Sequence, residues 1–183
     1  MVILTSVVLY GDRDIIFCNF LCKALSNFGK VSFIGESRIL IDDNCDFLII
    51  EKTGDISLLG ESKFVIFNKH LSKTLKICTK TTAIVSSSNE AALNYLSQSS
   101  QKTISCSMST KDTISLSSIT DESAVISLQR QLSDINGRII EPHDMRVKLS
   151  EPADEYYICA AYALLLISGY EPDLTEYVDF SVC

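Results

Sequence analysis

The apolar and polar positions of the first 35 residues follow one another in blocks that predict a strand, a turn, a helix and a second strand. Residues 2–10 form an apolar run, 11–14 a polar turn, 15–28 an amphipathic stretch, and 31–34 a second apolar run after Gly29. This is the layout of the first unit of a nucleotide-binding α/β domain. A working phosphate loop carries more glycines and a Gly-Lys-Ser/Thr at that turn, so that backbone N–H groups and a lysine surround the anion.

The turn itself has a different composition. It reads Gly11, Asp12, Arg13 and Asp14, which supplies one glycine, two aspartates and one arginine. The sequence therefore predicts the scaffold of a phosphate site without the residues that hold phosphate, a degenerate phosphate loop.

The block pattern continues to about residue 96. Apolar runs predict strands at 46–51, 64–68 and 82–86, and helical spacing predicts helices at 70–77 and 89–96. Ser88 or Asn89 is expected to cap the second of these helices through its side-chain oxygen. Short connections and nearly continuous apolar runs favour a parallel sheet covered on both faces.

From residue 102 onward the pattern changes to alternation of polar and apolar residues. This predicts half-exposed antiparallel strands at 103–108, 113–116, 125–132, 138–140 and 145–149. Asn136-Gly137 predicts a hairpin turn, since both residues tolerate positive φ. A last helix is expected from 156 to 167, ending at Gly169 with Pro172 beyond. The Ser/Thr-rich stretch 97–120 has the composition of a flexible linker, but its period of two favours strands.

Together these patterns predict one α/β domain over residues 1–183. Its expected fold is a mostly parallel sheet flanked by helices, in three layers as in P-loop and Rossmann-like proteins, followed by an antiparallel hairpin portion over residues 102–150. Hydrophobic residues make up 46% and charged residues 21% of the 183-residue chain, as in ordinary globular proteins.

Charge and cysteine usage narrow the expected partners and compartment. The net charge of −7 gives no reason to expect nucleic acid or an anionic membrane as a partner. The longest apolar run, 158–167, is far shorter than the roughly 20 residues of a membrane span, and no basic patch precedes the first apolar stretch, so no signal peptide is expected. Seven cysteines without C-x-x-C, and only two histidines, favour buried reduced thiols in a cytoplasmic protein over a zinc or redox site.

Several segments taken together resemble the central, ATP-binding domain of the Mur ligases, the enzymes that add amino acids to peptidoglycan precursors. They include a strand that ends in a glutamate, a strand followed by an Asn…His-Leu segment, a strand leading into an Asn-containing turn and helix, and an alanine-rich helix that ends in glycine. The segments are 46–51, 64–71, 83–90, 103–108, 111–114 and 156–169.

The resemblance implies ATP and Mg²⁺ as cofactors, with Gly11, Asp12, Arg13 and Asp14 at the phosphate loop. It also implies Glu51 as a magnesium ligand and His70 as a residue facing the same crevice. This sequence departs from the family pattern at Gly-Thr-Asn-Gly-Lys-Thr/Ser, which residues 10–14 replace. It also shows no His-Asn pair before the last helix, and no counterpart of the family's substrate-binding and ligase domains is expected.

Each of these residues has a second interpretation. Asp12 and Asp14 can simply cap the helix, which we favour, or Arg13 and the backbone N–H groups can form a weak site for a monoanion or a carboxylate. For Glu51 we favour a vestigial or hydrogen-bonding role over metal binding, because magnesium normally shares substrate oxygens. His70 can equally open a surface helix, since a lone histidine is more often structural. His143 carries no partner set for nucleophilic catalysis.

Three functions remain open on the sequence. The first is a non-catalytic Mur-ligase-like module without a cofactor, which acts through a protein partner or self-association, linked to bacterial cell-wall or division processes. The second is a nucleotide-dependent enzyme or switch with an atypical phosphate site, using ATP and Mg²⁺. The third is an unrelated Rossmann-like regulator that binds a small ligand where the strand order reverses.

Overall fold

Strands dominate the part of the chain that the structure describes. The computed structural model describes residues 4–52, 63–71, 81–99, 101–171, 173 and 176–181. The helices are α1 (Ile15–Ser26), α2 (Glu90–Ser97) and α3 (Glu155–Ile167). The strands are β1 (Thr5–Tyr10), β2 (Val31–Ile34), β3 (Ile39–Leu40), β4 (Phe47–Lys52), β5 (Lys63–Phe67), β6 (Thr82–Ser86), β7 (Lys102–Ser107), β8 (Ile114–Ile119), β9 (Ser123–Leu128), β10 (Leu132–Ser133), β11 (Ile139–Ile140), β12 (His143–Lys148) and β13 (Tyr177–Asp179).

One large mixed sheet contains all of these strands except β10 and β11. Its order is β13-β12-β9-β8-β7-β6-β5-β1-β4-β2-β3. The strands from β8 to β2 in that order run parallel to one another. β3 pairs antiparallel with β2, β9 pairs antiparallel with both β8 and β12, and β13 pairs parallel with β12. β1 lies between β5 and β4, with Val8 opposite Val65 on one side and Ile50 on the other. The predicted α/β fold, with a mostly parallel sheet and added antiparallel strands, is confirmed.

The direction of one strand differs from the prediction. Residues 103–108 were expected to pair antiparallel, but β7 runs parallel to β6 and to β8, with Ile104 opposite Ile84 and Cys106 opposite Ile114. Antiparallel pairing begins only between β8 and β9. The physical reason is that alternation reports one-sided burial: Ile104 and Cys106 are fully buried, while residues 102 and 103 are exposed. It carries no information on strand direction.

The predicted strand 125–132 is divided between two sheets. β9 ends at Leu128, and β10 pairs antiparallel with β11 in a separate two-stranded sheet. The predicted turn at Asn136-Gly137 joins β10 to β11, and Gly137 has φ +78° while Asn136 does not have positive φ. Gly137 N–H donates to the Asp134 carbonyl at 3.1 Å, as in a turn closed by a left-handed glycine.

The helices cover both faces of the sheet and divide its core in two. On one face, α1 and α3 pack on the larger apolar cluster, which includes Leu21, Ile49, Ile104 and Ile126. On the other, α2 packs on a smaller cluster through Ala92 and Leu96. α3 is buried on every side from Tyr156 to Ile167, because α1, the sheet and the β10–β11 hairpin surround it. No helix within the described ranges is long and apolar enough to cross a bilayer.

The helix ends follow the local sequence. Asp14, Asn89 and Asp154 each accept a backbone N–H at the start of a helix, so Asn89 is the predicted cap of α2. Gly169, at φ +94°, ends α3 as predicted, and Tyr170 N–H then donates to the Leu165 carbonyl at 3.1 Å. The predicted helix 70–77 lies outside the described residues except for His70 and Leu71.

Candidate functional site

The turn after β1 is held by backbone contacts to the segment that follows β5. Asp12 N–H donates to the His70 carbonyl at 2.9 Å, and Asn68 N–H donates to the Tyr10 carbonyl at 2.8 Å. Gly11 has φ +129°, and a Cβ at this position would lie 2.6 Å from the His70 carbonyl oxygen. Only glycine therefore allows the two segments to approach this closely.

Two buried amides extend this connection across the carboxyl edge of the sheet. The Asn68 side-chain amide donates to the Asp12 carbonyl at 2.8 Å, and the Asn89 amide donates to the Asn68 carbonyl at 2.8 Å. The ends of β1, β5 and β6 are thus linked by hydrogen bonds. Asn68 Oδ1 is buried and has no hydrogen-bond partner among the described residues. This edge is where open α/β sheets place their ligands.

Asp14 occupies the N-terminus of α1. Its Oδ1 accepts Phe17 N–H at 3.0 Å, and its Oδ2 accepts the Tyr157 hydroxyl at 2.7 Å. The favoured interpretation of this residue as a helix cap is confirmed. Burial, together with the hydrogen bond to Asp14, raises the pKa of the Tyr157 phenol, so the hydroxyl keeps its proton and acts as the donor.

Lys69 and Asp154 form a second connection at this edge. The Lys69 ammonium is paired with the Asp154 carboxylate and lies 5.7 Å from the centre of the Tyr157 ring. Asp154 also accepts Tyr156 N–H at 2.9 Å as the cap of α3. The lysine beside the turn is therefore already neutralised by a carboxylate.

Arg13 and Glu51 come together on the other side of β1. Arg13 Nε lies 3.7 Å from Glu51 Oε1, and the Arg13 guanidinium also donates to the Ser37 hydroxyl. The Glu51 side chain is only 8% exposed, whereas that of Arg13 is 41% exposed. They line a cavity of about 240 Å³. Its other lining residues are Ile15, Cys18, Asn19, Phe33, Ser37 and Arg38.

His70 does not join this group. β4 and β5 flank β1 on opposite sides, so Glu51 near the end of β4 and His70 after β5 lie on either side of the turn. The His70 side chain is exposed, and its contact with the turn is made by its carbonyl. Within the described ranges, no three His, Cys, Asp or Glu side chains converge in a way that could hold a metal ion. Metal binding by Glu51 and His70 stays a prediction.

Two thiols lie beside the cavity on α1. A hydrogen bond with Cys22, together with burial, raises the pKa of Cys18. The same hydrogen bond and the nearby Arg38 guanidinium lower the pKa of Cys22, against the effect of its burial. Among the described cysteines, Cys18, Cys106 and Cys159 are buried free thiols as predicted, whereas Cys22 and Cys45 are free but only partly buried.

This arrangement does not suit a triphosphate with magnesium. Asp14 places a carboxylate where a phosphate needs the backbone N–H groups of a helix N-terminus. Two cations beside the turn, Arg13 and Lys69, each face a carboxylate. Bound polyphosphate would have to displace these partners and accept the charge of Asp14 close by.

The fold is similar to that of several solved structures, although the sequence is not similar to known families. No protein-family model matches this sequence, and a search of curated proteins found no match. MurF from Acinetobacter baumannii superimposes with a TM-score of 0.56 at 13% identity, over 91% of this chain and 43% of that one. MurF ligase from Thermotoga maritima, in complex with ADP, gives 0.55 at 11% identity, over 96% and 48%.

A third neighbour is the UDP-N-acetylmuramate:L-alanyl-gamma-D-glutamyl-meso-diaminopimelate ligase (MPL) from Neisseria meningitides. It superimposes with a TM-score of 0.57 at 10% identity, over 91% of this chain and 62% of that one. The chain has a Mur-ligase-like fold. The resemblance seen in the sequence is confirmed at the level of fold, and the chain spans between 43% and 62% of the length of these ligases.

The sequence predicted some of the residues that meet at this edge of the sheet and missed others. Gly11, Asp12, Arg13 and Asp14 do lie together at the carboxyl edge, and Glu51 joins them through Arg13. The role of Tyr157 was missed, since it lies 143 residues from Asp14 in the chain. The only sequence signal for it is that Tyr157 is one of two adjacent tyrosines in the first turn of the last helix.

Proposed function

We propose that this chain is a non-catalytic Mur-ligase-like module that binds no nucleotide and acts through protein–protein contacts, including self-association, in bacterial cell-wall processes in the cytoplasm. The observation that carries the proposal is the Asp14 carboxylate at the N-terminus of α1, held by Phe17 N–H and the Tyr157 hydroxyl. The link to the cell wall rests on the names of the structural neighbours, which are ligases of the Mur type.

The electrostatic reason is direct. A helix N-terminus attracts anions through its free N–H groups and its dipole, and one anion, Asp14, is already covalently in place. A second anion there meets like-charge repulsion at close range in a partly buried site. The two cations beside the turn offer little compensation, because Glu51 balances Arg13 and Asp154 balances Lys69.

Calorimetric titration tests this proposal. ATP and ADP, each with and without Mg²⁺, are expected to bind no more tightly than about 1 mM, which corresponds to roughly −4 kcal/mol. Purified protein is also expected to show no nucleotide hydrolysis. Tighter binding that disappears in Arg13→Ala or Glu51→Ala, and persists in the matched surface variant Arg130→Ala, would contradict the proposal.

One observation favours the alternative of a nucleotide-binding enzyme or switch with an atypical phosphate site. Two guanidinium groups, those of Arg13 and Arg38, line the same 240 Å³ cavity next to the start of α1. Arginine is well suited to phosphate. Under this alternative, charge removal at either arginine weakens the nucleotide affinity in the same titration.

A further inference from the structure

We propose that a second copy of this chain adds to the edge strand β3, with the two β3 strands antiparallel about a two-fold axis through Leu40. This inference rests on the proposed function for the idea that the chain works through protein contacts, and it deepens that function by naming the partner. It concerns a different surface from the carboxyl-edge turn.

β3 is the last strand of the large sheet as far as the described residues go, and it pairs only with β2. It presents large apolar side chains to solvent: Ile39 is 66% exposed, Leu40 51% and Ile41 72%. An apolar edge strand of this kind is a template for pairing with another strand. Three consecutive exposed aliphatic residues are unusual for an edge that stays solvated.

The outer edge carries peptide groups that are ready to pair. Arg38 C=O accepts Gly35 N–H at 2.9 Å, and Asp42 N–H donates to the Ser32 hydroxyl at 2.9 Å, so the peptide groups of Arg38 and Asp42 point toward β2. Because peptide groups alternate in direction along a strand, those of Ile39 and Ile41 point outward.

Antiparallel pairing about Leu40 matches these outward groups with each other. Ile39 of one copy lies opposite Ile41 of the second copy, and the two residues exchange both backbone hydrogen bonds; the two-fold axis repeats the exchange. A shift by one residue would place outward peptide groups against inward ones, which removes the hydrogen bonds.

Charge selects among the registers that remain. With Leu40 on the axis, Arg38 lies opposite Asp42 of the second copy, and Asp42 lies opposite its Arg38. A shift by two residues in either direction places Leu40 opposite a charged residue, Arg38 or Asp42. The segment Arg38-Ile39-Leu40-Ile41-Asp42 is therefore complementary to itself in one antiparallel register.

The side chains separate correctly onto the two faces. Arg38 lies with its guanidinium carbon 5.1 Å from the centre of the Phe33 ring, and Leu40 is in register with Phe33, so both are on the α1 face. Ile39 is in register with Ile34 on the other face, where Ile34 is 36% exposed. Pairing therefore buries Leu40 of one copy against Leu40 of the second copy, and Ile39 of one copy against Ile41 of the second.

Both charged residues of the interface already have contacts within their own copy. The Arg38 guanidinium lies over the Phe33 ring and beside Cys22, but the residue is exposed. Lys30 Nζ lies 3.0 Å from Asp42 Oδ1. The Asp42 side chain is still 46% exposed, and a carboxylate has enough lone pairs to accept from both cations. The interface therefore requires no rupture of the Lys30 contact.

Sedimentation velocity with matched charge variants tests the proposal. The wild-type chain is expected to pass from monomer to dimer over about 1–500 μM, since short edge pairing is a small interface. Arg38→Asp alone places two aspartates opposite each other, and Asp42→Arg alone places two arginines opposite each other. Each is expected to weaken dimerisation at least about tenfold. Arg130→Asp, on the far half of the sheet, should leave it unchanged.

Mixing the two charge variants gives the decisive readout. In a mixed pair, both acidic positions of the Arg38→Asp copy lie opposite arginines of the Asp42→Arg copy, so an equimolar mixture is expected to regain the dimer that each variant loses alone. A mixture that stays monomeric overturns the proposal, and so does a wild-type chain that stays monomeric at the highest concentration. Because restoration needs both variants folded, misfolding cannot imitate it.

Cross-linking tests the register. Residues on the axis lie in a non-hydrogen-bonded pair, with Cα atoms about 4.5 Å apart, within the range that a disulfide spans. Leu40→Cys is expected to form a covalent dimer under mild oxidation, and the wild type with its native cysteines is the control. Faster cross-linking through Ile41→Cys than through Leu40→Cys would overturn the register. These readouts are independent of nucleotide titration, so either proposal can fail alone.

Discussion

The Tyr157 hydroxyl donates a hydrogen bond to the Asp14 carboxylate at 2.7 Å and so ties the first turn of α3 to the first turn of α1. The two residues are 143 positions apart in the chain. The same carboxylate caps α1. One aspartate therefore serves both a local and a long-range contact at the point where a phosphate loop would bind its ligand.

Removing either partner of this hydrogen bond is expected to destabilise the protein, and not additively. Asp14→Ala loses the cap and the Tyr157 contact, at about 2 kcal/mol of unfolding free energy. Tyr157→Phe loses only the hydroxyl, at about 1 kcal/mol. A double-mutant cycle by urea denaturation should give a coupling of about 1 kcal/mol. Additive effects would contradict the contact, and Tyr177→Phe, at an exposed tyrosine, is the control.

Gly11 is expected to tolerate no side chain. Gly11→Ala combines a φ of +129° with a Cβ 2.6 Å from the His70 carbonyl oxygen, and it should cost about 3 kcal/mol or more. Gly137→Ala is the matched control: its φ is +78° but no atom of the described residues lies within 4 Å of the added Cβ, so about 1 kcal/mol is expected. If Gly11→Ala and Gly137→Ala lose equal stability in thermal denaturation, the close approach at Gly11 has no energetic effect.

Asp179 is expected to make stability pH-dependent. Burial opposes ionisation, but the hydroxyl and amide of Ser181, with Lys148 nearby, outweigh it and lower the pKa of Asp179. Because the pKa of Asp179 is lower in the folded than in the unfolded protein, its ionised carboxylate stabilises the fold at pH values above the unfolded-state pKa. This contribution is lost as the pH falls through the folded-state pKa. The difference between wild type and Asp179→Asn should therefore shrink between about pH 5 and 3. Urea denaturation at each pH measures it.

The matched control for this pH series is Asp43→Asn, which removes an exposed carboxylate elsewhere on the surface. If the difference in unfolding free energy between wild type and Asp179→Asn stays constant over the whole pH range, the proposed role of Asp179 is contradicted.

Cys22 is expected to be the more reactive thiol of the α1 pair. Its pKa is lowered by the hydrogen bond with Cys18 and by Arg38, whereas that of Cys18 is raised. Arg38→Gln should slow alkylation of Cys22 a few-fold near neutral pH, since the thiolate is the reacting form. Mass spectrometry of dilute, monomeric protein gives the rates, with Cys45 as the internal reference. An unchanged Cys22 rate would contradict the effect of Arg38.

Local sequence signals predicted the elements whose structure is set locally. Asn89 before a helix, Gly169 after one and the turn at Asn136-Gly137 each fix a backbone geometry within a few residues, and each lies where the sequence places it. The alternation of apolar residues found β7 as a strand. It could not give its direction, because parallel and antiparallel neighbours bury the same face.

The contacts that define the candidate site join residues far apart in the chain, and most of them could not be predicted from the sequence. Arg13 and Glu51 could be placed at one edge of the sheet because Arg13 follows β1, Glu51 lies near the end of β4, and the two strands are parallel. The pairing of Lys69 with Asp154 depends on how α3 docks across the sheet, which no local pattern records. The short strands β3 and β13 were missed because two or three residues show no periodicity.

The burial of α3 on every side has a consequence for biosynthesis. This helix comes after twelve of the described strands in chain order, yet it fills the centre of the larger apolar cluster. While the ribosome is still making residues 155–167, the sheet face beneath that helix has nothing to cover it, and contacts across more than a hundred residues close slowly. A growing polypeptide with an uncovered apolar sheet face is prone to aggregation. We therefore expect the yield of folded protein to depend on a chaperone or on fast completion of synthesis.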